Sequence, residues 1–376
     1  MVTDRFEQIR YLINEVRQKS SNIAVLAVIN VKTHSKQLED YHHHSIRSSF
    51  LNDWEIDDFI SSLRRVGFFV QHFADEEDFF SWVLSGKYEG LRIEHKLVYT
   101  SASNGIGPGR RALVPAFCRH KRIPTLNSNA YSCAINRHKF HVSRLLSAFG
   151  IRVPRTWYYI PDEGWWDSKP PPRGLKVIAK ATYEGSSVGV EDETIGPFTP
   201  VIENRIDRLS KLLSQPITVQ ELIEGYEIEV PVIRLFSHHA LGAAVLSLHG
   251  STKLDESVLS YREALNDTYS YESESAVPAS IISCIYSSAE LVAKIFDFDG
   301  ISRIDFRITP SGTQYVIDVS STPHLTRSNA VNYLFCQAGL EYCDTLAALV
   351  GAGCLRYGII HSSDQNSSSE ARKPFP

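Results

Sequence analysis

Residues 301–329 read ISRIDFRITPSGTQYVIDVSSTPHLTRSN. Apolar and polar residues alternate on both sides of Pro310, Ser311 and Gly312, a turn signal, so the stretch predicts a β-hairpin. With Ser311 and Gly312 as a two-residue turn, antiparallel register sets Asp305 opposite Asp318 and Arg303 opposite Ser320, all on one face. Ile304, Phe306, Ile308, Tyr315, Ile317 and Val319 fall on the other face, which is the core side. The polar set must therefore face solvent or a cleft.

Carboxylates directly opposite one another on paired strands have Cβ atoms roughly 5 Å apart and repel, so such a pair shares a proton or a cation. Magnesium is the natural hard cation for oxygen ligands. The hairpin alone leaves two readings open: a metal pair, or a solvent-facing ladder whose acids are diluted by Arg303 and Arg307. A change of one residue in the turn would undo the pairing.

The rest of the chain narrows the class. Its 376 residues suffice for two or three packed units, and 43% hydrophobic with 22% charged residues is a globular composition. A formal net charge of −4 argues against a nucleic-acid or acidic-membrane binder. The six cysteines (Cys118, Cys133, Cys284, Cys336, Cys343, Cys354) show no zinc-like spacing and read as reduced thiols. No apolar run approaches the roughly 18 residues of a membrane span and no secretory h-region opens the chain, so a cytoplasmic protein acting on small molecules is expected.

Along the chain, residues 4–18 have helical spacing with Asp4 as N-cap, and residues 22–30 (NIAVLAVIN) form a buried strand. A helix from Asp53, a strand (FFVQHF), a helix (EEDFFSWVL) and a strand (KLVYTSA) complete a parallel α/β unit. The loop before Asp53 is about twenty residues long, against a usual range of roughly two to six, and holds His42, His43 and His44. It reads as a polar substrate-side loop, since successive side chains point to alternate faces and one ion would rarely take all three. After the third strand, Gly105, Gly107 and Gly109 lead into a helix beginning near Arg110, where exposed N–H groups with Arg110 or Arg111 could hold an anion. A strand-like piece (IPTLNS) and a helix over 131–149 follow. Residues 151–174, rich in Pro and Trp, punctuate the chain. Beyond them come strand, Gly-Ser loop and strand (LKVIAKATYEGSSVGVEDE), two strands across a Glu-Gly turn (PITVQELIEGYEIEVPVIR) and a helix over about 279–296.

Lys180 ends an apolar strand and Gly185, Ser186, Ser187 and Gly189 follow. Such a lysine reaches a phosphate while small residues let backbone N–H groups close over it. That attraction is on the order of 4 kcal/mol at about 4 Å and an effective dielectric near 20. A plain Gly-Ser hairpin turn would look the same. The combination decides: Lys180 with EGSSVGV, Glu221-Leu-Ile-Glu-Gly-Tyr-Glu227, Arg303-Ile-Asp305-Phe, and Asp318-Val-Ser-Ser-Thr-Pro323 occur in order at sensible separations. The chain resembles the ATP-grasp superfamily and, within it, the D-alanine–D-alanine ligase family, well over residues 112–332 and only in topology before that.

The resemblance implies an N-terminal parallel α/β domain (1–130) and two α+β ATP-grasp subdomains (131–218 and 219–360) that sandwich ATP, with a disordered tail (361–376). It implies that Lys139 and Lys180 contact ATP phosphates under a loop carrying Ser186 and Ser187. Glu221 would face the adenine amino group and Glu227 the ribose hydroxyls. Asp305, Asp318 and Ser320 would hold magnesium, with manganese an alternative, and Arg303 would steady the transferred phosphate. One substrate's carboxylate would attack the γ-phosphate, and an amine would displace the resulting acyl phosphate. Homodimerisation is a further implication.

Departures from the family pattern carry equal information. The family has Glu and Asn where this chain has Asp318 and Ser320, each shorter by one bond, which draws ligand oxygens back by roughly 1.5 Å. His324 replaces a glycine that helps bind the reacting carbonyl, and Asn329 replaces a serine that meets the second substrate's carboxylate. The first loop lacks the family's Gly-Gly-x-Ser-x-Glu, and only Arg262 and Lys253 are candidates for its later phosphate lysine. The nucleotide half reads as retained and the substrate half as rebuilt, with Arg110, Arg111, His324 and Asn329 as substrate-side candidates. The expectation is a ligase of amino acids or similar acids and amines other than D-alanine with itself. Alternatives are a D-alanine–D-alanine ligase with a divergent loop and a nucleotide-binding regulator that has lost catalysis.

Overall fold

The computed structural model describes residues 6–33, 40–41, 44–45, 49–105, 107–190, 192–266, 268–282 and 284–361. The expected N-cap Asp4, His42, His43 and all of the tail beyond His361 lie outside them. His44 pairs with Tyr41 in a two-residue ladder.

The strand Ile23–Val28 is buried at every position and lies between Phe69–Phe73 and His95–Thr100, parallel to both. This is the predicted parallel α/β unit, and a continuous apolar run is what a doubly covered parallel strand requires. Asp53–Val66 starts where expected, with Asn52 and Glu55 forming a capping box, and ends on Gly67 at φ 109°. The last helix, Tyr342–Arg356, returns to this unit and is buried from Tyr342 to Cys354. Glycine permits the approach: a Cβ on Gly351 would lie 2.7 Å from Leu12 Cγ. Leu12, Leu126, Leu346 and Val350 share that core, each contributing roughly 1.5–3 kcal/mol by burial.

Two further sheets face the cleft. The five-stranded sheet runs Gly164–Trp165, Thr156–Ile160, Ile217–Glu221, Lys176–Ala181, Ile195–Pro197, covered by the helix Pro200–Leu212. The main path of the seven-stranded sheet is Tyr269–Glu272, Ala244–Leu248, Gly225–Arg234, Ile301–Ile308 and Gln314–Ser320. The two strands read across the Glu-Gly turn thus belong to different sheets, and residues 222–224 link them. Gly225, at φ 135° with the Ile308 carbonyl against its Cα, makes the crossing, since a Cβ there would lie 2.1 Å from that oxygen.

Several sequence expectations need correction. The helix over 131–149 is two, Ala130–Ile135 and Lys139–Ala148. Asn136 Nδ2 donates to the Val319 carbonyl at 3.0 Å, and His138 Nδ1 caps the second helix through the His141 amide. Polar groups with tertiary partners thus outbid helix continuation. The helix near Arg110 begins as a 3₁₀ turn, Arg110–Ala112, before Leu113–His120. IPTLNS makes only an isolated bridge, Val98 with Thr125. The helix over 279–296 is described as Ala279–Ile282 and Ile285–Ile295.

The central hairpin was right in its outcome and wrong in its turn. Ile308 pairs with Gln314, so residues 309–313 form the loop, with the Gly312 amide on the Thr309 carbonyl at 2.8 Å. That loop shifts register by one residue, and a bulge between Asp305 and Phe306 shifts it back, restoring Asp305 to Asp318 and Arg303 to Ser320. Beyond the bulge Val316 is the core residue, while Ile317 lines the cleft.

Candidate active site

The cleft between the two sheets has a volume of about 290 Å³, the scale of a small-ligand pocket. Lys139, Lys180, Ser186, Ser187, Glu221, Glu227, Arg303, Asp305, Asp318, Ser320, Arg111, His324 and Asn329 all line it. Arg110 does not; nor do Arg262 and Lys253, the latter paired with Asp255 at 3.3 Å.

The helix break sets Lys139 at the first position of its helix, where Nζ meets Asp318 Oδ2 at 3.0 Å and its amide donates to the Thr182 carbonyl at 3.1 Å. Lys180 projects from the end of Lys176–Ala181, and burial holds its ammonium down to about 8 against the pull of Asp318. Ser186 and Ser187 both have positive φ, 50° and 53°, a conformation left-handed enough to cost a non-glycine residue roughly 1–2 kcal/mol. Ser187 Oγ donates to the Leu259 carbonyl at 2.8 Å, so the loop is pinned to the segment opposite.

Glu221 and Glu227 stand on either side of the inter-sheet link. Arg155 Nε donates to Glu221 at 2.8 Å and Arg307 Nε to Glu227 at 2.9 Å. Arg307 is spent structurally, since its other nitrogens donate to the carbonyls of Asp255 at 3.1 Å and Ser257 at 2.5 Å.

Arg303 is bidentate on Asp305, at 2.7 Å on both oxygens, and reaches Glu229 Oε2 at 3.1 Å. Glu229 lies opposite Asp305 on the neighbouring strand, and the Tyr271 hydroxyl donates to it at 2.8 Å. Burial pushes the carboxyls of Glu229 and Asp305 up, against the pull of Arg303. At Asp318 burial acts in the same direction, but Lys139 and Lys180 outweigh it and hold the carboxyl below its usual range. Glu229 was missed in the sequence, although its alternation with Glu227 in YEIEV was the available signal.

Among the described residues no group of three or more His, Cys, Asp or Glu side chains is arranged to hold a metal ion. Asp305, Asp318 and Ser320 nevertheless form a hard-oxygen set on one face, which suits magnesium once Arg303 and Lys139 yield.

On the other side of the cleft, Arg110 donates to Glu184 at 3.1 and 2.5 Å, both side chains 2% exposed, and Gln215 Nε2 adds 3.1 Å. Arg111 Nη1 reaches the Thr322 carbonyl at 3.3 Å. Burial and neighbouring cations push the imidazole of His324 down to about 3. Asn329 is engaged in structure: its Oδ1 accepts from the Asn332 amide at 3.0 Å and its Nδ2 donates to the His324 carbonyl. Arg137, inside the predicted helix and missed for that reason, also lines the cleft.

The family model described as D-ala D-ala ligase C-terminus matches residues 145–351. Among curated proteins, the D-alanine–D-alanine ligase of Lactobacillus acidophilus is 25% identical over 198 residues, 51% of this chain and 52% of that protein. The D-alanine–D-alanine ligase of Anaeromyxobacter sp. (strain Fw109-5) is 22% identical over 62% of this chain and 72% of its own. The match to the Lactobacillus proteins thus spans about half their length. Among solved structures, D-alanine–D-alanine ligase from Bacillus anthracis complexed with ATP superposes with TM-score 0.65 at 14% identity, covering 88% of this chain and 97% of that one. VanG D-Ala:D-Ser ligase from Enterococcus faecalis gives TM-score 0.59 at 17% identity over 88% and 99%. These likenesses carry the mixed α/β architecture through the N-terminal unit as well. No helix among the described residues is long and apolar enough to cross a membrane.

Proposed function

The chain belongs to the family described as D-ala D-ala ligase C-terminus, and from that membership we propose that it is an ATP-dependent ligase joining a carboxylate to an amine. The observation that carries the reading is convergence: Lys139, Lys180, Ser186, Glu221, Glu227, Arg303, Asp305 and Asp318, drawn from five separated segments, line one cleft. The reaction class asks for positioning and cations, which the cleft supplies, with no nucleophilic Ser or Cys required.

In this reading Lys139 and Lys180 bind the nucleotide's phosphates and the Ser186–Ser187 turn closes over them. Glu221 and Glu227 take the base and ribose, each held in place by an arginine. Asp305, Asp318 and Ser320 would hold magnesium, which when bound neutralises charge on the transferred phosphate. Arg303, oriented by Asp305 and Glu229, faces the developing negative charge. The overall products are an amide, ADP and phosphate. A cytoplasmic, homodimeric enzyme acting on amino acids or similar acids and amines completes the proposal. Its substrates are not two D-alanines, because Asn329 is engaged as a helix cap and His324 occupies a position the family gives to glycine.

The test is magnesium-dependent ADP release against L- and D-amino acids, singly and in pairs, with Asp305→Asn as control. Release that needs a particular pair and disappears in the control is expected. Robust product from D-alanine alone would overturn the substrate assignment. ATP binding without turnover across all pairs would favour the regulator, whose support is that both metal-side acids are already ion-paired.

A further inference from the structure

Arg111 and Arg137 line the cleft, and together with Arg110, which does not, they surround one carboxylate, Glu184. Glu184 is fully taken, by Arg110 and by Gln215. Arg111 has a backbone carbonyl and no acid. Arg137 has Nε and Nη2 shut away from solvent without a hydrogen-bond partner, and Nε of Arg111 and Nε of Arg110 are in the same state. A Cβ on Gly185 would lie 2.7 Å from Arg137 Nη1, so the guanidinium rests on the backbone where the glycine-serine loop begins. Burial, then Arg111 and Arg110, push Arg137 well below the usual arginine range. A buried charge left in that state is a strong demand for an anion.

The remaining cations show which anion. Lys139 is matched by Asp318, Arg303 by Asp305 and Glu229, and Arg307 by Glu227. Among the described residues, Lys32, Lys180, Arg111 and Arg137 line the cleft with no carboxylate at ion-pair distance. Lys180 sits with the Asp318–Lys139 and Glu227–Arg307 pairs, on the nucleotide side. Arg111 and Arg137 share the field at His324, together with Arg303 and Lys32, and Arg137 also feels Asp318, more weakly than it feels Arg111, Arg110 and Glu184. An ammonium group drawn toward those arginines would be repelled. An oxyanion would be held.

We propose that the acid activated in this cleft carries a second anionic group, carboxylate or phosphate, and that Arg137 with Arg111 receives it. This rests on the ligase reading above. Binding to the purified full chain, followed by calorimetry with and without ATP, tests it without requiring turnover, so absence of ADP release would count against the ligase and not against the site. The probes are L-aspartate, L-glutamate, succinate and O-phospho-L-serine against L-alanine, D-alanine and L-serine. At least one dianionic probe is expected to bind about tenfold or more tighter than its neutral counterpart. Phosphoserine against the dicarboxylates decides which anion fits. Arg137→Ala should remove that preference while leaving ATP affinity within about twofold, and Arg137→Lys should restore part of it. Gly185→Ala, which displaces the guanidinium and keeps its charge, should weaken the same probes. Equal binding of neutral and dianionic probes, or binding of none, overturns the proposal. So does an Arg137→Ala variant that loses ATP affinity and keeps the dianion, since Arg137 would then belong to the transferred phosphate.

Discussion

The two sides of the cleft are charged by opposite strategies. On the side proposed for the nucleotide nearly every cation has an acid: Arg303 with Asp305, Lys139 with Asp318, Arg307 with Glu227, Arg155 with Glu221. On the other, Arg110 takes the single carboxylate while Arg111 and Arg137 go without. A balanced wall holds its geometry before ligand arrives. An unbalanced one stores an unmet demand for negative charge, and it is the ligand that meets it.

The contrast can be broken most sharply at Asp305. Asp305→Asn should lower ADP release about 10²- to 10³-fold, read with saturating ATP, because it takes away an anionic oxygen proposed for magnesium and loosens the bidentate hold on Arg303, the two cations that would counter phosphate charge. Next is Glu184→Gln, which leaves Arg110 buried and unpaired. Urea unfolding should show a loss of about 3–5 kcal/mol. If stability is unchanged, the Arg110–Glu184 pair is not the anchor of its wall.

A smaller effect follows from Lys180, held down to about 8 by burial. It is charged below that pH and neutral above, so ATP affinity should fall as pH rises through 8, by up to about tenfold at pH 9. Proton uptake on binding, measured calorimetrically in buffers of different ionisation enthalpy, should appear over the same window. Lys180→Arg should abolish both. The smallest change is expected at Arg155, 56% exposed in its pair with Glu221. Arg155→Ala should alter stability by no more than about 1 kcal/mol, and ATP KM within about threefold, because solvent screens such pairs.

The nucleotide wall was legible because its signals are local. Period-2 alternation placed Arg303 and Asp305 on one strand face and Asp318 and Ser320 on its partner, and glycine with serine marked the loop after Lys180. Even there the pairing survived by compensation: the turn spans 309–313, not two residues, and a bulge beside Asp305 returns the register. Nothing in the residues separates that case from a clean hairpin, since a bulge depends on what the strand packs against.

The substrate wall was illegible for the opposite reason. Arg137 sits in a stretch whose spacing is helical, and the helix breaks there because Asn136 bonds to Val319, 183 positions away, and His138 caps the helix that follows. Arg110 reads as a helix-start anion site until Glu184, 74 positions on, closes over it. Asn329 reads as a substrate contact until its side chain is found capping its own helix.

Sequence alone determined the parallel α/β unit, the hairpin face with its opposed aspartates, and the order of the nucleotide motifs, because each depends on residues a few positions apart in one element. Tertiary structure decided where the helix over 131–149 breaks, which sheet each strand of residues 216–234 joins, and which arginines are neutralised. Those outcomes are set by partners brought together across long loops, and the energies that select them exist only once the chain has closed.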